Sequence, residues 1–111
     1  MTLIEFKDAL VSGLEEAGVP VYHALATPED VCPVLCWQET GGSYLAGDDS
    51  VCARVMNIEL DLYTDAEYDP APAVLENLLE TLQVSYYNDS IGYVNDRGEW
   101  TRTWTVSFIG G

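Results

Sequence analysis

The sequence predicts an α+β domain: two helices packed on one face of a mostly antiparallel sheet, in the order α-β-β-β-α-β-β. Three observations predict it. Two segments, near residues 2–17 and 69–82, repeat apolar residues at helical spacing. Five others are short or alternating apolar runs rich in β-formers. The strands follow one another as hairpins do, which favours helices segregated to one face over alternating βαβ units.

The first helix opens on a capping box, Thr2-x-x-Glu5. Leu3, Phe6, Leu10, Leu14 and Ala17 make its apolar stripe, and Gly18 followed by Val19-Pro20 stops it. "VPVYHALA" and "VCPVLCWQ" read as two strands, with Pro20 and Pro33 confined to a strand start and an edge or bulge. "ETGGSYLAGDDS", Glu39–Ser50, is a long connection beside the about two to five residues of ordinary hairpin turns. "VCARVMNIELDLYT" alternates, with Met56, Ile58, Leu60 and Leu62 on one face and Asn57, Glu59 and Asp61 on the other. Fully extended, that run covers roughly 46 Å. It must bend, or leave the body of the domain in a projecting hairpin around residues 39–50. Asp69 is the expected N-cap of the second helix and Pro70 its first residue, ahead of Val74, Leu75, Leu78, Leu79 and Leu82. "SIGYVN" and "EWTRTWTVSFI" flank an Asp96-Arg97-Gly98 turn as a closing hairpin. In the last strand Trp100, Trp104, Val106 and Phe108 oppose Thr101, Thr103, Thr105 and Ser107. That face is all hydroxyl, suited to water or to another subunit.

At 111 residues the chain reads as a single domain, 1–111, without repeats or linkers. Such a chain buries roughly two-thirds of its unfolded surface, enough for one core. Nineteen acids face four bases, a formal net charge of −15. Phosphate binding needs clustered Lys and Arg, and there are none to cluster, so specific nucleic-acid binding and adhesion to acidic membranes are not expected. No apolar run approaches the roughly 20 residues that span a bilayer. The acidic start "MTLIEFKDAL" lacks the basic region of a secretory signal, so synthesis and residence in the cytoplasm are expected.

Chemistry-bearing residues are few. "IELDLYTDAEYDP" holds five carboxylates: Glu59, Asp61, Asp65, Glu67 and Asp69. Glu59 and Asp61 lie about 6.6 Å apart along one strand face, within the range of paired acid/base groups. Nothing in the sequence supplies a cleft or a group to raise either pKa. Asp65, Glu67 and Asp69 begin like a calcium loop, but the glycine and the bidentate glutamate of such a loop are missing, Pro70 and Glu76 standing there instead. Cys32 and Cys36 on one strand are about 13 Å apart, too far to share a zinc ion, so with Cys52 they read as buried free thiols. His23 reads as a partly buried strand histidine, since no triad partner accompanies it. The tyrosines and tryptophans lack a basic groove beside them and read as packing residues. No catalytic residue, metal or cofactor is expected.

The run "NIELDLYTDAEYDPAPAVLENLLETL", ending in "IGYVNDRGEWTRTWTVSF", resembles the small tail-terminator and tail-completion (head-to-tail joining) proteins of long-tailed bacteriophages. The resemblance covers nearly the whole chain as an order of elements. It implies an α+β subunit of the virion tail or neck, made in the host cytoplasm. Such subunits form a ring, commonly a hexamer, that ends the tail tube and meets the head connector. The expected contact residues with neighbours or tube are Tyr44, Leu45, Asp48 and Asp49 on the hairpin, with Glu59, Asp61, Thr101, Thr103 and Thr105 on the sheet. Negative charge would line a DNA conduit without gripping its cargo. The alternative is an acidic DNA mimic that inhibits a nucleic-acid-binding protein, for which Glu59 and Asp61 would begin a row of phosphate-like charges.

Overall fold

The computed structural model describes residues 1–23, 33–46, 51–64, 69–94 and 100–110. In it α1 is Leu3–Glu15, β1 Val21–His23, β2 Val34–Ala46 and β3 Val51–Thr64. Then come α2, Ala71–Leu82, β4, Ser85–Val94, and β5, Trp100–Gly110. The predicted order and fold class are both present: two helices with a five-stranded, mostly antiparallel sheet.

Both helices are fixed at their ends. The Thr2 hydroxyl accepts from the Glu5 N–H at 3.1 Å and the Glu5 carboxylate accepts from the Thr2 N–H at 3.0 Å, completing the capping box. The Thr2 backbone bond, the larger cause, and its hydroxyl hold the Glu5 carboxyl below its ordinary range. At the other end Gly18 adopts φ 71°, donating to Glu15 O at 3.0 Å, while Val19 donates to Leu14 O at 3.1 Å. This is a Schellman stop, and Val19 and Leu14 are both buried behind it. α2 starts one residue later than expected. Pro70 has helical angles (φ −72°, ψ −13°), yet the helix begins at Ala71, whose N–H donates to the Asp69 carboxylate at 2.8 Å. Pro70, not Asp69, thus takes the N-cap position, and Asp69 reaches the first helical N–H from one residue outside it.

The strand order is β1-β2-β3-β5-β4, with β1 parallel to β2 and every other neighbour antiparallel. β3 and β4 both run against β5, so α2 carries the chain across the sheet and β5 returns to the gap between them. Alternation then sorts the side chains. Leu35 and Trp37, Ile58, Leu60 and Leu62, and Trp104 and Val106 turn inward against Phe6, Leu10 and Leu14 of α1 and Leu75 and Leu79 of α2. Phe6 and Phe108 close one end of this core, their rings 5.1 Å apart.

The strands differ from expectation mainly in length. β2 extends through Glu39–Ala46, the stretch that reads as a connection, because pairing with β3 outweighs the poor strand propensity of its glycines. Thr40 is the extra residue of a bulge between the pairs Glu39–Ile58 and Gly41–Asn57, and Gly41 takes φ 116° there. The β2–β3 pairing continues to Ala46–Val51, so five residues of β3, roughly 17 Å, run on beyond buried Met56. The molecule measures 51 × 27 × 22 Å. β4 starts at Ser85, five residues before the predicted "SIGYVN", since Ser85-Tyr86-Tyr87 also pairs with β5. Asp48 and Asp49, Asp65 and Glu67, Cys32 and the Asp96-Arg97-Gly98 turn lie outside the described residues, as do the side chains of Tyr44, Leu45 and Cys52.

Candidate functional site: the outer face of the sheet

The helices cover one face of the sheet; the other carries the polar half of each alternation. Register builds it row by row. Cys36 of β2, Asp61 of β3 and Thr103 of β5 form one row. Gln38, Glu59 and Thr105 form the next, which Tyr87 of β4 extends, and Asn57 and Ser107 a third. The Thr103 hydroxyl donates to the Asp61 carboxylate at 2.7 Å, the Gln38 amide to Glu59 at 2.9 Å, and the Ser107 hydroxyl to the Asn57 carbonyl oxygen at 2.7 Å. Four of the expected contact residues, Glu59, Asp61, Thr103 and Thr105, thus share one half-buried surface.

Thr101 departs from that expectation. It is only 5% exposed within the single chain, paired with Tyr63 of β3, and its hydroxyl has no hydrogen-bond partner. One end of the face is therefore closed, and the accessible part runs from the Asp61 row toward Val55 and Ile109. Ile109 (58% exposed) and Tyr87 (62%) add apolar surface at its margin.

The electrostatics centre on Asp61. Burial pushes its carboxyl above the ordinary aspartate range; the Thr103 hydroxyl pulls it down, and the Glu59 charge and carboxyl push it up again. Strand spacing alone gave no reason for a raised carboxyl pKa; the cause is desolvation by folding, which a list of neighbours in sequence does not contain. Cys36 is buried, and its thiol is raised to about 11, first by burial and then by the Asp61 charge. It therefore stays a protonated, poorly nucleophilic thiol at neutral pH, matching the free buried cysteine expected there.

One groove of about 260 Å³ runs beside α1 and β1, lined by Val11, Glu15, Val19, Pro20 and Val21. Another of about 390 Å³ lies at the corner of Met1, Gln83, Ser85 and Ile109. Neither borders Glu59 or Asp61. Among the described residues no group of three or more His, Cys, Asp and Glu could hold a metal ion. His23 is exposed rather than partly buried: its ring stacks on Trp37 at 4.1 Å and 20°, covering the tryptophan at the sheet margin. No described helix is long and apolar enough to cross a membrane.

No model of a known protein family matches the chain, and no curated protein matches it. What the face can do is read from its own groups: hydroxyls, amides and two adjacent carboxylates on a partly apolar sheet surface.

Proposed function

We propose that the chain is a structural subunit of a phage virion. It forms a ring at the head-proximal end of a tail, ends growth of the tail tube and joins the tube to the head connector. The observation that carries this reading is the outer sheet face, whose rows of Gln38, Asn57, Glu59, Asp61, Thr103, Thr105 and Ser107 are tied across the strands by the Gln38–Glu59, Thr103–Asp61 and Ser107–Asn57 hydrogen bonds. A polar sheet face with apolar margins is suited to contact between subunits. The long β2–β3 hairpin supports the same reading, as an arm for a neighbour or the tail-tube protein. The net charge of −15 suits a lumen through which DNA passes without sticking.

Negative-stain electron microscopy of the purified protein, alone and mixed with tail tubes, tests the proposal. Closed rings with a hole of DNA width, or caps on tube ends, are the expected result. A monomer or dimer that ignores tubes and displaces DNA from a DNA-binding protein would favour the acidic mimic instead. A mimic needs a row of charges, and the described outer face supplies two carboxylates.

A further inference from the structure

We propose that the solvent side of α1, together with the groove between α1 and β1, is a docking surface for a basic amphipathic helix of another protein. The surface lies on the helix side of the sheet, so it stands independently of the reading given to the outer face.

The helix does not turn all its apolar residues inward. Phe6, Leu10 and Leu14 are buried, whereas Ile4 is 69% and Val11 41% exposed. Seven residues apart, these two lie within about 20° of each other around the helix. Asp8 and Glu15, both exposed, fall on the same line of positions, which therefore reads apolar, acid, apolar, acid over about 16 Å. At its far end the stripe opens into the groove of about 260 Å³, where Val11, Val19, Pro20 and Val21 supply an apolar lining with Glu15 beside them. That volume is below the roughly 300–1,000 Å³ of small-molecule sites, so the groove suits one inserted side chain rather than a cofactor. Because the stripe follows a helix, the partner that tracks it for its length is another helix, packed ridge into groove.

Charge selects the occupant. Glu15 and Glu16 stand at the C-terminal end of α1, the negative end of its dipole, and no basic residue stands in that last turn. Lys7 reaches Asp8 at 3.3 Å, an exposed pair that a partner's base displaces at little cost. A second copy is the wrong partner, since it brings the same acids and a net charge of −15 against them. The segments 24–32, 47–50, 65–68 and 95–99 of the chain itself each carry acids, with Arg97 their sole base, and do not complement the stripe either. What fits is a helix with aliphatic residues facing Ile4 and Val11, and Lys or Arg facing Asp8 and Glu15. The contact, about 16 Å by about 10 Å, is small beside the roughly 1,200–2,000 Å² of stable interfaces, so it is transient or one of several in an assembly.

Amide NMR titration of the full chain with three synthetic helical peptides tests the proposal. One peptide carries Leu on one face and Lys beside it, the second replaces every Lys by Glu, and the third replaces every Leu by Ser. The Leu/Lys peptide is expected to bind at least about tenfold tighter than either other, shifting amides of α1 and β1 first. Ile4→Ser and Val11→Ser, both at exposed positions, should each weaken it at least about threefold. Asp8→Asn combined with Glu15→Gln should weaken it about tenfold. Glu76→Gln combined with Glu80→Gln, the same change of charge on α2, should leave it within about twofold. Equal binding of the Ser/Lys peptide, or shifts spread over all the acids, would reduce the effect to general attraction between opposite charges and overturn the proposal. Equal binding of the Leu/Glu peptide would overturn the choice of a basic partner. If the chain self-associates in sedimentation velocity and Ile4→Ser abolishes that association, the stripe belongs to a second copy and the proposal fails. None of these outcomes bears on rings formed through the outer face.

Discussion

At the scale of single residues, the two helix stops make a controlled comparison. Both are Schellman turns. Gly18 occupies the left-handed position after α1, and Gln83, at φ 59°, occupies the equivalent position after α2. A side chain there costs about 1 kcal/mol that glycine avoids. Gln83→Gly is accordingly expected to stabilise the fold by about 0.5–1 kcal/mol, read as a higher midpoint in urea denaturation. Gly18→Gln should lose a comparable amount. The first stop was legible because Gly-Val-Pro announces itself. The second was not, since nothing in "LQVSYY" marks a turn until Val84 is seen buried against the α2 end. The same contrast holds in the site: strand alternation placed Glu59 and Asp61 together, but Asp61's altered acidity depends on burial that only the folded sheet creates.

At the scale of elements, α1 and α2 meet where α1 carries a glycine. A Cβ added to Gly13 would lie 2.7 Å from Cδ2 and 2.8 Å from Cδ1 of Leu78, so the helices approach closely at that point. Gly13→Ala combines a gain in helix propensity of about 1 kcal/mol with a displacement of the flexible Leu78 end, and should leave stability within about 0.5 kcal/mol of wild type. Gly13→Leu must push the helices apart and is expected to cost about 2–3 kcal/mol in the same denaturation measurement. If the leucine variant were as stable as wild type, the close approach would be refuted. This contact was not legible, because a glycine inside a helical pattern reads only as a weak residue until its opposite number is known. Strand extents were legible where alternation was strong, as in β3 and β5. They were lost in β2 and β4, where glycines, or a Tyr-Tyr pair, hide the period and cross-strand pairing supplies the missing stability.

At the scale of the whole molecule, the charge of −15 acts on everything at once. The described ion pair, Lys7 with Asp8, is exposed and adds little. Self-repulsion should therefore be a measurable drain on stability. The thermal midpoint is expected to rise steadily as sodium chloride goes from about 0.02 to about 0.5 M, with most of the change below about 0.2 M, where screening lengths contract fastest. A midpoint indifferent to salt would mean that the acids are too dispersed to act together. The sequence yields the class and order of elements, yet not the parallel β1–β2 pair or the strand order. Both depend on pairing between distant segments, which the periodicity within one segment does not encode.

The place of β5 sets a timetable for synthesis. It follows every other strand in the chain yet sits between β3 and β4. About 35 residues separate the end of β3 from the start of β5, roughly 2–7 s of translation at about 5–20 residues per second. Throughout that interval the most regular strand of the protein, with its apolar face and backbone donors uncovered, waits for a partner. Among identical chains made side by side, those seconds are the window in which one copy's β3 can pair with another's β5.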